Sequence, residues 1–373
     1  MSECGRPIRV VDVSGSRRAM GESFGEQLRT EARELYAIRL RSALTQAHEE
    51  GLRDATEEDL HRVARASMCI TADCDPETAD EMEGIARGTG LTLEQVMVLN
   101  GLTDLRDALS WWRGGELFGG CTAIVAQSDA TRDERLLCGQ TWDLGTDNMP
   151  YVLAVRRMPR SGLWSVGLIV AGSLPFLGIN EAGLAVGTTN LRTRDAQPGV
   201  IYVSLIDRAL RSRTACEALA AMSAPRRAGG HFFYVADALG SAVALECTAQ
   251  RHAARELTYG VFVHANHCLM PEYREIDVDA SHPSTQARQR QMTALAENAV
   301  GKLDAEALKL FFADTSGVPV AICRDDVDGT STNQHERGGD LRPRGGLAPR
   351  VSRTSVACPV GRAARVGAYH DLK

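Results

Sequence analysis

The sequence lacks the features that mark membrane, secreted and nucleic-acid-binding proteins. No apolar run reaches the ~18–20 residues that span a bilayer, and the first residues, MSECGRPIRV, have no apolar signal-peptide core. The net charge of -6 argues against a general affinity for nucleic acid or anionic membranes. We therefore expect a cytoplasmic protein with neither a nucleic-acid nor a membrane partner.

Paired cysteines are also missing, since none of the ten cysteines belongs to a CxxC motif. In a reducing compartment most of them should be small core residues, so a functional cysteine must be recognised by its surroundings. With 373 residues, 44% of them hydrophobic and 24% charged, the chain can bury a large core. Its folding needs neither a metal nor a disulfide, and we expect no cofactor.

The hydrophobic pattern changes at Cys121. After a short strand, IRVVDV, residues 16–110 have mainly helical spacing, and Thr92 and Gln95 have the spacing of a capping box. From Cys121 onward apolar residues recur at about every second position, which predicts successive strands. A helix is predicted over 202–222 and a mobile loop over 325–350. The strands follow one another without intervening helices, which predicts antiparallel sheets with helices outside.

Two motifs suggest chemistry that their context does not favour. Residues 21–25 read GESFG and match the GxSxG nucleophile elbow, but Ser23 falls inside a helical stripe, past the end of the strand. Residues 264–268, HANHC, gather possible zinc ligands without the usual spacing. A metal-dependent hydrolase using His264, His267 and Cys268 is therefore a minor alternative, and the main interpretation has no metal.

The tetrapeptide Gly119-Gly120-Cys121-Thr122 lies where the strand pattern begins. A peptide bond can cleave itself when the following thiol attacks the preceding carbonyl, and glycine tolerates the backbone conformations that this requires. Cleavage would leave Cys121 as an N-terminus whose α-amine, with a pKa of ~7.7–8.0, can act as base for its own thiol. Taken alone, the tetrapeptide favours a plain buried cysteine after a glycine turn.

Motifs along nearly the whole chain resemble those of the acyl-coenzyme A:6-aminopenicillanic acid acyltransferase family of self-cleaving cysteine enzymes. Each match is short, but they occur in the family's order. They are MEGIARG at 82–88, VMVLN at 96–100, GCT at 120–122, GQTWD at 139–143, GINEAGLA at 178–185, HANH at 264–267 and AICR at 321–324.

This resemblance implies the N-terminal nucleophile hydrolase fold, an α+β four-layer αββα sandwich with two mainly antiparallel sheets. The precursor would be one domain, residues 1–373. Cleavage between Gly120 and Cys121 would give a small chain, 1–120, and a large chain, 121–373, and the two would stay associated. The expected enzyme is an amide hydrolase or acyltransferase that forms an acyl-enzyme on Cys121 from a small amide or acyl thioester. A non-catalytic binding module on the same fold is the alternative.

The resemblance also assigns site residues. Cys121 corresponds to the nucleophile, Asp143 to a catalytic aspartate, and Asn266 to the residue whose side-chain amide stabilises the oxyanion. Trp142 is expected to line the acyl pocket, and Arg324 to bind a substrate carboxylate or phosphate. Gly229-Gly230-His231 departs from the small hydroxyl-bearing or apolar residues expected there, and this difference bears on the choice of substrate.

Overall fold

The computed structural model describes residues 8–110, 120–280, 282–317, 320–323 and 351–359. Its helices are α1 (Arg17–Gln27), α2 (Arg29–Glu49), α3 (Glu57–Cys74), α4 (Pro76–Thr89), α5 (Leu93–Ala108), α6 (Tyr202–Ala209), α7 (Ala215–Ser223), α8 (Pro283–Glu297) and α9 (Ala305–Phe312). Its strands are β1 (Val10–Gly15), β2 (Cys121–Ala126), β3 (Leu137–Gly145), β4 (Val152–Pro159), β5 (Ser165–Val170), β6 (Leu177–Asn180), β7 (Ala185–Leu191), β8 (Gly230–Ala236), β9 (Ala242–Cys247), β10 (His252–Glu256), β11 (Val261–His264) and β12 (Val351–Pro359).

Within these residues the strands form two sheets. The larger has the order β1-β4-β5-β6-β7-β8-β9-β10, and the smaller has the order β11-β2-β3-β12. Neighbouring strands are antiparallel in both sheets, except that β1 runs parallel to β4. The prediction of two mainly antiparallel sheets is therefore confirmed.

The two sheets pack face to face through alternating residues. On β2, Ala123 and Val125 share a core with Phe232 and Tyr234 of the larger sheet. The residue between them, Ile124, faces the other way, because successive strand residues point to opposite faces. It joins a separate core with α8 and α9.

Helices also cover the outer face of the larger sheet. Phe233 and Val235 of β8 pack with α6 and α7, while β1, β4 and β5 pack with the five helices that precede Cys121. The layer order is thus helices, large sheet, small sheet, helices, which confirms the predicted αββα sandwich. Among the described residues no helix is both long and apolar enough to cross a bilayer.

Glycines let α1 and α4 pack with their backbones in contact. A Cβ on Gly21 would lie 2.1 Å from the carbonyl oxygen of Glu81, and one on Gly84 would lie 2.2 Å from that of Arg18. These glycines belong to the GESFG and MEGIARG segments. Ser23 is inside α1, so the structure contains no nucleophile elbow at this serine.

Some predicted boundaries were wrong. The single helix predicted over 202–222 is two helices, because Thr214 caps α7 by accepting from the Glu217 amide, and Asn180 binds carbonyls of the intervening turn. Strands β6, β10 and β12 were not predicted. The Thr92–Gln95 capping box is confirmed. The loop predicted over 325–350 lies outside the described residues.

Replacing Gly84 with alanine tests the close helix contact. In an open helix this change would stabilise the protein by up to ~1 kcal/mol. Here the methyl group collides with backbone, so we expect Gly84→Ala to lower the free energy of unfolding by ~1–3 kcal/mol or more. The exposed Arg87 of the same helix provides the control, because Arg87→Ala should change stability by no more than ~0.5 kcal/mol. A denaturant melt of Gly84→Ala that coincides with those of the wild type and Arg87→Ala would contradict the close contact.

Candidate active site

Cys121 is the first residue of β2 and lies on the face of the small sheet that meets the large sheet. The residue is 9% exposed. The neighbouring strand β3 places Trp142 opposite Cys121 and Asp143 one residue further on. On the other side, β11 pairs His264 with Ala123, and the chain then continues to Asn266. The small sheet therefore brings the three predicted catalytic residues together.

Both sides of the Gly120–Cys121 peptide bond are held by hydrogen bonds. The backbone N–H of Asp143 donates to the Gly120 carbonyl oxygen at 2.9 Å. The backbone N–H of Cys121 donates to Oδ1 of Asn266 at 2.8 Å. A Cβ on Gly120 would lie 3.1 Å from Oδ2 of Asp143, which puts that carboxylate beside the bond.

Arg288 is a site residue that was not predicted. It is buried on α8 and donates from Nη2 to Oδ1 of Asn266 at 2.9 Å, and from Nη1 to the Cys121 carbonyl and to Oγ1 of Thr122. The i, i+4 spacing of Ser284, Arg288 and Met292 could have revealed it, since these residues form the buried face of the helix.

The environment of Cys121 disfavours its thiolate. Burial, and then the nearby Asp143 carboxylate, raise the pKa of the Cys121 thiol to about 12, although the Arg288 guanidinium opposes them. In the intact chain the thiol is thus protonated at neutral pH. Any attack by this sulfur requires a base close by.

A cavity of about 220 Å³ reaches Cys121, Asp143 and Asn266. One wall is aromatic: the ring of Trp142 lies 4.5 Å from that of Phe176, which stacks on Tyr202 at 5.8 Å. Trp142 lines this cavity, and its role toward an acyl group stays a prediction. Arg324 lies outside the described residues.

The possible metal ligands of the HANHC segment point to different partners. His264 stacks on Phe232 and pairs with Glu246, whereas His267 contacts the hydroxyl of Thr285. The Cys268 backbone N–H donates to Asp277. No group of three or more His, Cys, Asp or Glu side chains in the described part of the chain is placed to hold a metal ion. The structure thus does not bring His264, His267 and Cys268 together.

The unexpected Gly229-Gly230-His231 segment forms a buried polar contact at the cavity. Nε2 of His231 lies 2.7 Å from Oδ1 of Asp104, and Tyr202 stacks on the imidazole at 4.5 Å. A Cβ on Gly229 would lie 2.6 Å from the same carboxylate oxygen. Glycine at 229 thus makes room for Asp104, which fixes His231 in the cavity wall.

The chain belongs to the acyl-coenzyme A:6-aminopenicillanic acid acyl-transferase family, whose family model matches residues 130–334. Its two sheets, with helices on both outer faces, have the αββα order that the resemblance implies. The 40 kDa form of acyl-coenzyme A:6-aminopenicillanic-acid-acyltransferase from Emericella nidulans is 25% identical over 282 residues, which are 74% of this chain and 75% of that protein.

Two solved structures are more distantly similar. A mutant of the conjugated bile acid hydrolase from Clostridium perfringens has a TM-score of 0.37 and 11% identity, covering 51% of this chain and 78% of that one. Penicillin V acylase from Agrobacterium tumefaciens has a TM-score of 0.32 and 16% identity, covering 51% and 69%.

His267 provides a pH-dependent test of the site's packing. Burial, and then the neighbouring His264, lower the pKa of His267 to about 4 from the ordinary 6.5. The unfolded chain therefore binds more protons between these values, so stability from this residue is lost as the pH falls from 6.5 through 4. Between pH 6.5 and pH 4 the free energy of unfolding should fall in the wild type and fall less in His267→Gln. We expect the two decreases to differ by on the order of 2–3 kcal/mol. Urea melts at several pH values measure the difference, and parallel curves would contradict the buried position.

Proposed function

We propose that this protein is a self-cleaving cysteine amidohydrolase or acyltransferase. It cuts its own chain between Gly120 and Cys121, and the released Cys121 then forms an S-acyl enzyme from a small amide or acyl thioester. The observation that carries this proposal is the pair of hydrogen bonds on the Gly120–Cys121 peptide, from the Asp143 amide and to the Asn266 side chain. The membership of the chain in an acyl-transferase family supports the reaction class.

In the self-cleavage step, the sulfur of Cys121 attacks the Gly120 carbonyl carbon as the thiol proton passes to the Asp143 carboxylate. The Asp143 N–H lies where it stabilises the negative charge that develops on the Gly120 oxygen. The tetrahedral species then collapses: the carbon–nitrogen bond breaks, the Cys121 amine takes up the proton, and a thioester remains. Water hydrolyses this thioester to the Gly120 carboxylate and the free thiol.

In the mature enzyme the α-amine of Cys121 is the base for its own thiol, because its ordinary pKa of ~7.7–8.0 lies near neutral pH. The thiolate attacks the substrate carbonyl, and collapse of the intermediate expels the leaving amine or thiol. Water or an acceptor amine then takes the acyl group from sulfur. Asp143, beside the amine, stabilises its protonated form.

Asn266 is the proposed oxyanion donor. Its Nδ2 donates one N–H to the Asn190 carbonyl at 2.9 Å, and the second N–H is the one assigned to the oxyanion. Arg288 fixes the orientation of the amide, since it donates to Oδ1. A donor held in this way needs no reorganisation during the reaction.

A buried ionic network supports the proposal that the two chains stay together. Arg157 of β4 pairs with Glu81 of α4 at 2.5 Å and with Asp207 of α6 at 2.7 Å. Arg17 of α1 pairs with both carboxylates. The network thus crosses between the segments that lie before and after the proposed cut, and separation would expose its charges and the core around it.

Intact-mass spectrometry tests the cleavage. Purified protein should consist of two fragments, about one third and two thirds of the chain, with the larger beginning Cys-Thr-Ala, whereas Cys121→Ala should stay whole and inactive. Gly120→Ala should mature slowly, because its Cβ would lie 2.9 Å from Nη2 of Arg288. An uncut wild type that is fully active on an amide would exclude the N-terminal nucleophile mechanism. An uncut protein inactive on a broad amide panel would favour a binding module.

Asn266→Ala tests the oxyanion donor. Removing such a donor should lower kcat by ~10²–10³-fold, with a smaller change in KM. Turnover is measured per cleaved molecule, with thermal melting to separate catalysis from stability. Asn298→Ala, at an exposed position, is the matched control and should have normal turnover. If Asn266→Ala loses stability but not turnover, the residue has only a structural role.

A further inference from the structure

We propose that Arg39 and Arg106 form an anion-binding subsite in the cavity that contains Cys121, and that the substrate carries a carboxylate or phosphate group that binds there. This inference rests on the proposed function for the reaction at Cys121. The subsite itself is defined by two arginines of α2 and α5, which both line the cavity.

The hydrogen bonds of both guanidinium groups leave donors free for a ligand. Nε of Arg39 donates to Oδ1 of Asn148 at 3.0 Å, and Nη1 donates to the Leu99 carbonyl at 2.7 Å. Nη1 of Arg106 donates to Oε1 of Gln46 at 2.8 Å. A guanidinium has five N–H donors, and the acceptors identified for these two groups are all neutral. The contacts therefore orient the arginines without neutralising them.

The positive charge of the pair is poorly compensated. Burial is the main cause that lowers the pKa of Arg39 to about 10; Tyr202 opposes this shift and the Arg106 charge contributes to it. Burial also lowers the pKa of Arg106. Asp147, Asp107 and Glu50 interact with them from a distance, but neither arginine forms an ion pair within the described residues.

Arg192, which lines the same cavity, differs from this pair. It binds the Asp279 carboxylate through Nε and Nη2. Partly buried cations without a partner destabilise a fold. An anion placed between Arg39 and Arg106 would remove this cost and could accept hydrogen bonds from both groups.

The position of Tyr202 connects the subsite to the nucleophile. This tyrosine interacts electrostatically with both Cys121 and Arg39, and its ring continues the aromatic wall of Trp142 and Phe176. A substrate whose carbonyl lies at Cys121 would extend along this wall and reach the arginines with its far end. Binding through a remote charge would position the carbonyl for attack.

The subsite comes from the helices that precede Cys121. Arg39 and Arg106 lie outside the matched region, 130–334, of the family model. The catalytic strands lie within or next to that region. We infer that the N-terminal helices set the choice of substrate, whereas the sheets supply the chemistry.

Direct binding tests the subsite without catalysis. Isothermal titration of the Cys121→Ala protein with glutarate and with inorganic phosphate should show saturable binding of at least one. Arg39→Met and Arg106→Met in that background should each weaken binding at least tenfold, and Arg106→Lys should retain more affinity than Arg106→Met. Arg41→Gln changes an exposed charge on α2 and is the control that should bind normally. Folding of each variant is checked by thermal melting. No binding of either anion, or equal loss in Arg41→Gln, would overturn the subsite.

Kinetics separate the subsite from the reaction. Chromogenic anilides of succinic, glutaric and adipic acid are compared with their ω-carboxamide counterparts, which have nearly the same size without the charge. The wild type should favour at least one carboxylate by tenfold or more in kcat/KM, and Arg106→Met should bring that ratio toward one, mainly through KM. If the enzyme turns over the carboxamide substrates and has the same kcat/KM for the carboxylates, the subsite is overturned but the proposed function is not. Arginine-dependent anion binding by a protein that turns over neither amides nor acyl thioesters would overturn the proposed function but not the subsite.

Discussion

The antiparallel pairing of β2 with β3 is the constraint on which the site depends. It places the Asp143 amide on the Gly120 carbonyl and the Trp142 side chain beside the cavity. A shift of one residue in this register would turn every side chain of β2 to the opposite face and would move Cys121 away from the cavity. The register is fixed by two different cores, one on each face of the small sheet.

Burial disfavours the charged form of the Cys121 thiol but strengthens the hydrogen bonds around it. It suppresses the Cys121 thiolate, and the protonated thiol is the weaker nucleophile. The same low-dielectric surroundings strengthen the hydrogen bonds from the Asp143 amide and the Arg288 guanidinium. In the proposed mechanism Asp143 is the base before cleavage, and the Cys121 amine is the base afterwards.

The sequence predicted those features that depend on local patterns or on short motifs. The change of period at Cys121 identified the first strand of the small sheet, and the resemblance indicated Asp143 and Asn266, which the structure brings together with Cys121. Arg288 was not predicted: its spacing with Ser284 and Met292 marks a buried helix face, but its hydrogen bonds to the site form only when α8 packs on β2. The assigned roles of these residues remain predictions.

The other differences also have physical causes. The break between α6 and α7 depends on Asn180, which is distant in sequence and binds carbonyls of the turn. The glycines of GESFG match a catalytic pattern by coincidence, because close helix packing and a nucleophile elbow both require residues without a Cβ. Periodicity could not distinguish these two reasons for glycine.

The ionic network of Arg17, Glu81, Arg157 and Asp207 has a consequence for how the protein denatures. If the chain is cut as proposed, this network and its surrounding core become an interface between two polypeptides. The precursor unfolds as one molecule, but the mature form must also dissociate, so its apparent stability would depend on concentration. Refolding would then be bimolecular and would start from fragments that never folded separately. The mature protein would then be kinetically stable: it would stay folded because it unfolds slowly, having folded before the chain was cut.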